Sequence, residues 1–488
     1  MKNIFLVFAL LFTASLVSAQ EITWGNLLKI KSAGCLEYLG INKGEHFALK
    51  SATSLRYNSL ARRFEHRGGS GIHFEVKGDV KVGIVNLGAD FKKSEVTELT
   101  LSYPLQLLYE AFVQDDHIYL VYSGSVGKQE SKIIIETLSM KGVSEKKQEI
   151  AFNTKWTITY LTFSPNKSQM IIAACGYPVG DDHADVPVIK NLTSYSLDKG
   201  NAQLKEEVNV EALNCVSELI VSNAGDAFYL GKAAGTYYLY KGLKSAVKTT
   251  LMNKPVYGLN FEFFEKDNKL AVSALSGWTK NNKTYAEESM IYLFNNSTNA
   301  LDFSTTYKID AKYFTEKGKN GVKNLVNKKL FLVNGKEVVN VMQRQELYEV
   351  ANSTQSGTST STSIRYEFYE ADAIVLKTDG TNTNSLLITI EEKSADAANP
   401  KLGISNGYIN GNKLMLLYNV RKGNDFKLIM GSIDLSNLTF KEEQAIETTK
   451  LHDVEFENQK FFTTENGNFF IAAGGGLLNR RFKAAVIK

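Results

Sequence analysis

The stretch Asp115-Asp116-His117-Ile118-Tyr119-Leu120-Val121-Tyr122 sets two turn-forming aspartates before a strand that is apolar on successive residues. Asparagine, aspartate and glycine accept positive φ or cap their own backbone, so such pairs punctuate hairpins. A strand with one wet face alternates apolar and polar residues. One that is apolar at every position is covered on both faces, as an inner strand between stacked sheets is. The combination recurs. Turns of this composition fall at Asn42 to Gly44, Asp115-Asp116, Pro165 to Lys167, Asn223 to Asp226, Asp267-Asn268, Asn334-Gly335, Asn410 to Asn412 and Asn466-Gly467. They lie roughly sixty residues apart, a period within the range of propeller blades. Apolar strands such as Met170 to Ala174, Leu270 to Val272, Leu414 to Tyr418 and Phe469 to Ala473 follow them.

A second hairpin follows each first one, through Ile133 to Leu138, Leu192 to Asp198, Ile291 to Phe294, Ile374 to Gly380 and Ser432 to Leu435. The strand after it is polar, as in Lys146-Lys147-Gln148-Glu149, Lys205-Glu206-Glu207 and Lys441-Glu442-Glu443. Apolarity therefore falls from the second strand to the fourth, as from the axis of a propeller to its rim. The fold class read from this pattern is all-β, a β-propeller of four-stranded blades, eight by count with seven as the alternative. The final unit ends at a third strand, Phe482 to Lys488. Residues Ile22 to Ile30, ahead of the first repeat, are expected to pair beside it and close the ring. Residues 20–488 then form one domain, with loop insertions at about 51–76 and 352–363; the Ser/Thr-rich second insertion reads as a mobile loop. Six prolines in 488 residues leave no rigid linker to divide the chain.

The Trp24-Gly25 start, Tyr160 to Lys167 and Ala373 to Gly380 resemble repeats of uncharacterised exported propeller proteins of Gram-negative bacteria. The resemblance covers most of the chain beyond residue 20. It implies the fold and no activity.

The first nineteen residues read as a cleavable signal peptide. Lys2 supplies a basic tip, Ile4 to Phe12 an apolar run too short to span a bilayer, and Val17-Ser18-Ala19 the small residues of a cleavage site. Gln20, not cysteine, follows Ala19, so no lipid anchor is expected. No later apolar run reaches the ~20 residues of a membrane span. The net charge of +4 is spread among 56 basic and 52 acidic side chains, without the basic stripe of a nucleic-acid binder. Cys35, Cys175 and Cys215 lack zinc-site spacing; they read as buried thiols or as one disulfide and a free thiol.

Asp181, Asp182, His183 and Asp185 form the best candidate for a metal, a structural cation such as calcium or zinc, although the EF-hand glycine and terminal glutamate are missing. Arg62, Arg63 and Arg67, beside Gly68-Gly69-Ser70-Gly71, are the densest basic cluster and the candidate anion site. Gly403 to Gly407 matches G-x-S-x-G, but a strand follows it where a nucleophile elbow needs a helix. Trp278 and Tyr285 are the aromatics expected at a surface. Sialidase-like Asp boxes, tryptophan-docking repeats, WD dipeptides, H-E-x-x-H and a P-loop do not occur.

The reading is a non-catalytic binding or scaffold propeller of the bacterial envelope, with no cofactor and a protein partner such as an outer-membrane transport or secretion complex. Export to the periplasm or its outer-membrane boundary goes with it. The alternative is an enzyme acting on extracellular polysaccharide over the axial channel.

Overall fold

The computed structural model describes residues 22–487 apart from 29, 31–34, 52–80, 104, 127–129, 151–157, 177–187, 215–218, 234, 245, 282, 315–319, 357–358, 395–405, 423–424, 447–454, 457–461, 465–466 and 475–480. The segment expected to be a signal peptide lies outside the described residues, as do the side chains of all three cysteines. The fold is all-β. One 3₁₀ turn, Ala311–Tyr313, is the sole helical element among the described residues, and no helix there is long and apolar enough to cross a membrane.

A short strand, β1 (Ile22–Trp24), comes first. Sheet 1 then contains β2 (Cys35–Asn42), β3 (Glu45–Ser51), β4 (Val82–Gly88) and β5 (Glu95–Glu98). Sheet 2 contains β6 (Leu105–Gln114), β7 (His117–Val126), β8 (Glu130–Ser139) and β9 (Ser144–Ile150). Sheet 3 contains β10 (Ile158–Phe163), β11 (Gln169–Gly176), β12 (Val188–Asp198) and β13 (Asn201–Asn214). Sheet 4 contains β14 (Leu219–Val221), β15 (Ala227–Ala233), β16 (Thr236–Lys241) and β17 (Val247–Met252). Sheet 5 contains β18 (Val256–Phe264), β19 (Lys269–Lys280), β20 (Lys283–Asn295), β21 (Ala300–Lys308) and a two-residue β22 (Val322–Lys323). Sheet 6 contains β23 (Leu325–Val333), β24 (Glu337–Ser356), β25 (Ser359–Thr378) and β26 (Thr383–Ser394). Sheet 7 contains β27 (Asn406–Asn410), β28 (Lys413–Lys422), β29 (Asp425–Asp434) and β30 (Thr439–Ile446). The last sheet contains β31 (Glu455–Phe456), β32 (Phe462–Thr464), β33 (Gly467–Gly474) and β34 (Arg481–Ile487). In sheets 1 to 7 the four main strands pair in chain order, all antiparallel, and β22 pairs with β20. In the last sheet β31 and β32 share one side of β33, β34 takes the other, and β1 pairs outside β34.

In sheets 1 to 7 each Asn/Asp/Gly turn named from the sequence lies between the first and second strands, and in the last sheet the named turn leads into β33 at Gly467. In sheets 1 to 7 the apolar strand after the turn is buried on both faces among the described side chains. In β11, Met170 and Ile172 join Ile133 and Ile135 of sheet 2, whereas Ile171 joins Val221 and Tyr229 of sheet 4. Similar cores join sheets 1 and 2 through Leu49, Ile84, Leu120 and Ile134, sheets 4 and 5 through Leu230 and Val272, sheets 5 and 6 through Leu275 and Ile374, and sheets 6 and 7 through Val375 and Leu416. Burial of this kind contributes ~25 cal/mol per Å² of apolar area, so stacking between sheets stabilises the array far more than any one hairpin can alone. Fourth strands are wet: β21 alternates between exposed and half-buried residues along its length.

The first and last strands meet. Ile22, Thr23 and Trp24 pair with Ile487, Val486 and Ala485. The chain then leaves the edge at Gly25, whose amide donates to the Ala484 carbonyl (2.9 Å), and Asn26 donates its amide to the Phe91 carbonyl of sheet 1 (3.0 Å). Leu28 and Phe482 exchange backbone hydrogen bonds of 2.8 and 3.2 Å. Leu28, Ile30, Phe482 and Ala484 pack in one core with Tyr38, Val85, Leu87 and Phe91 of sheet 1.

One expectation is corrected. Residues 352–356 and 359–363 are strands, not a loop: they belong to β24 and β25, pairing Asn352 with Ser363 and Ser356 with Ser359. Serine and threonine give a composition shared by solvated loops and exposed strands. Here the continuous ladder satisfies the backbone, and threonine favours extended chain. The insertion at 51–76 falls almost wholly on 52–80, outside the described residues.

Candidate functional site

Side chains tie the first turns of neighbouring sheets together. Asp116 accepts hydrogen bonds from Asn42 (2.9 Å) and Lys43 (2.7 Å) of sheet 1, and Lys167 reaches Glu110 of sheet 2 (2.8 Å). Asn223 of sheet 4 accepts from the Asn166 amide (2.9 Å) and donates its own amide to Glu265 of sheet 5 (2.7 Å). Lys269 donates to the Gly335 carbonyl (2.7 Å), and Lys377 to the Leu435 carbonyl (2.8 Å). Sheets 1 to 7 therefore present their first and third turns at one common end. The connections from second to third strands lie at the other, because antiparallel strands alternate direction.

That second end carries the long elements. In sheet 6, β24 and β25 form a ribbon whose outer part, beyond Tyr348 and Glu367, pairs with no third strand among the described residues. In sheet 5 the β19–β20 hairpin is braced by the segment after β21. β22 pairs with Tyr285 and Ala286, the Asn324 amide donates to the Thr284 carbonyl (2.7 Å), and Trp278 Nε1 donates to the Asn320 carbonyl (3.0 Å). Trp278 and Tyr285 are cross-strand partners stacked at 4.0 Å and 8°. Trp278 is half-buried, but Tyr285 is only 1 % exposed, which corrects its placement at a surface: β22 and the indole cover it.

The sequence candidates Asp181, Asp182, His183 and Asp185, and Arg62, Arg63 and Arg67, lie outside the described residues, as does Ser405. The strands leading into and out of these acidic and basic segments, β11 and β12, β3 and β4, do so at the long-hairpin end. Among the described residues no three carboxylate, imidazole or thiolate side chains converge as a metal ion needs.

A cleft of about 110 Å³ opens at the short-turn end, between sheets 2 and 3. Three turns meet there: Asp115-Asp116, Asn166 to Ser168, and Asp198 to Gly200. The Asn166 carbonyl oxygen Oδ1 accepts from the Ser168 amide (3.0 Å) and fixes the second turn, whose Ser168 carbonyl accepts from the Leu197 amide (2.8 Å). Gln148 holds the third turn to sheet 2, donating to the Ala202 carbonyl (2.8 Å) and accepting from its amide (2.7 Å). Tyr119 forms the floor, stacked on its cross-strand partner Phe112 at 4.9 Å. Burial, then the nearby charges of Asp115, Asp198 and Glu145, hold the Tyr119 hydroxyl above its usual pKa. It therefore stays protonated at neutral pH. Sequence reading missed this cleft, because its residues come from three turns as far as 85 positions apart in the chain (115 to 200).

No family model matches the chain, and no curated protein matches it. Among solved structures it is similar to the polysaccharide lyase Uly1, at 9 % identity and a TM-score of 0.41, over 96 % of this chain and 99 % of that one. It is similar to the β-propeller domain of Nup133 from Vanderwaltozyma polyspora at 10 % identity and 0.38, over 78 % and 100 %. For the WD40 domain of SCAP from fission yeast the values are 9 % and 0.37, over 96 % and 98 %. Likenesses of this depth say nothing of substrate or partner. The architecture rests on the chain's own strand pairing.

Proposed function

We propose that the protein is an exported eight-bladed propeller, closed by pairing of β1 with β34, that serves as a non-catalytic binding scaffold in the bacterial envelope. It engages a protein partner, such as a subunit of an outer-membrane transport or secretion complex, through the long-hairpin end. The observation that carries this reading is the contrast between the ends: short turns bonded to one another at one, hairpins with strands of up to 20 residues at the other. Rigid scaffolds carry recognition on such extended connections. The blade count is supported by the recurrent turn and four-strand meander. Closure is supported by the Leu28, Ile30, Phe482 core against sheet 1. Export rests on Lys2, the apolar run after it and Ala19.

The test is affinity capture from detergent-solubilised envelopes, comparing the intact chain with a variant whose residues 348–367 are replaced by Asn-Gly. The scaffold reading expects a stoichiometric partner with the intact chain and its loss with the shortened hairpin. Equal capture by both, or no partner at low salt, contradicts it.

A further inference from the structure

The β19–β20 hairpin at the long-hairpin end is built as a rigid arm. A bulge between Ser276 and Gly277 begins it, and Gly277 lies against the Tyr285 carbonyl, where a Cβ has no room. Beyond the bulge Trp278 pairs with Tyr285, Thr279 with Thr284, and Lys280 with Lys283. Successive pairs alternate between the faces of a two-stranded ribbon. Trp278, Tyr285, Lys280 and Lys283 therefore share one face, with the stacked rings behind and the lysine pair at the tip. The brace from Asn320 and Asn324 holds this arrangement in the free protein. A partner then meets a preorganised surface and has little of it to order on binding.

The lysine pair is uncompensated. Like charges directly opposite each other on paired strands repel. Lys254 and Lys312, also at this end of sheet 5, are ion-paired with Glu288 and Asp310. Lys280 and Lys283 are both exposed, and neither makes an ion pair with a described residue. An anion set between them removes the repulsion and gains charge-assisted hydrogen bonds. The indole behind them is half-buried and its N–H is spent on the Asn320 carbonyl, so its exposed part is apolar carbon.

We infer that the partner of the scaffold reading, on which this rests, docks an acidic peptide segment on this face of the hairpin, with carboxylates between Lys280 and Lys283 and an apolar side chain against Trp278. Charge complementarity favours an acidic occupant, and tryptophan is among the residues that anchor protein interfaces. A lipid surface needs apolar side chains to insert, and no large apolar side chain of β19 or β20 is exposed. A sugar ring needs acceptors beside the aromatic platform, whereas lysine ammonium groups only donate.

Ligand-observed NMR titration of the full chain tests this without the natural partner. The probes are the peptide Glu-Glu-Phe-Glu-Glu, its counterpart with glutamine for each glutamate, and hexagalacturonate; phosphatidylglycerol vesicles are followed by co-sedimentation. The acidic peptide should bind and the glutamine peptide should not. Lys280→Gln and Lys283→Gln should each weaken binding about threefold, and joint Lys280→Glu and Lys283→Glu should abolish it, with melting temperatures unchanged because both side chains are exposed. Alanine in place of the probe's phenylalanine should weaken binding about fivefold. Failure of the acidic peptide to bind, binding untouched by the double charge reversal, or tighter binding of hexagalacturonate or vesicles through the same lysines overturns the assignment. If the peptide binds while envelope capture yields no partner, the scaffold reading falls and the docking site stands; capture without peptide binding does the reverse.

Discussion

Gly25 sits where no side chain fits. A Cβ there would come within 2.4 Å of both Cβ and the carbonyl oxygen of Phe91, and the carbonyl belongs to a backbone that also accepts the Asn26 amide. Rotation cannot relieve such a clash, so Gly25→Ala should cost at least ~2 kcal/mol, read by denaturant unfolding. Beneath Phe91 lies His46, 4.2 Å from that ring and hydrogen-bonded at Nδ1 to the Tyr38 hydroxyl (3.1 Å). Burial holds its imidazole below the usual pKa. In the unfolded chain His46 takes up a proton near pH 6.5, whereas in the folded chain it resists until lower pH. Stability should therefore fall as pH drops below about 6.5, by at most ~1.4 kcal/mol per pH unit from this group, and level off below its folded pKa. Urea titrations at stepped pH should give a flatter profile for His46→Gln; an identical slope would remove His46 from the account.

At the scale of elements, a buried carboxylate fixes the crossing from sheet 1 to sheet 2. Glu136 of β8 is fully buried and accepts from the Ser102 amide (3.0 Å), the Ser102 hydroxyl (2.7 Å) and the Tyr122 hydroxyl (2.5 Å). Removing it strands three donors, so Glu136→Ala should cost about 3 kcal/mol, with Glu136→Gln intermediate. The β24–β25 ribbon should behave oppositely. Its outer part has no third strand among the described residues, so replacing residues 348–367 with Asn-Gly should leave the melting temperature within about 1 °C. The two elements also mark how far the sequence could be read. Asp115-Asp116 and Asn334-Gly335 announce hairpins because few residues tolerate left-handed backbone, and Met170 to Ala174 announces burial on both faces. The ribbon at 352–363 is misread because polar β-branched residues suit a loop and an exposed strand equally; only its pairing partner decides. The cleft is illegible because Asp115, Tyr119 and Asp198 meet through packing of two sheets.

At the scale of the whole molecule, the proposed ring makes the two ends of the chain one element. An unpartnered third strand at Phe482 to Lys488 announces the pairing of β1 beside β34, but not its extension to sheet 1 through Gly25, Asn26 and Phe91. Leu28 and Ile30, both buried, contribute together an upper estimate of 3–6 kcal/mol. The latch therefore accounts for a large share of the stability expected of a folded domain. The most direct measurement is thermal unfolding of the protein lacking residues 21–30, alone and with a synthetic peptide of residues 22–30. The account predicts a lowered melting temperature, or no cooperative transition, restored by the peptide in a concentration-dependent way. A truncated protein that melts like the intact one, with no response to the peptide, would contradict ring closure.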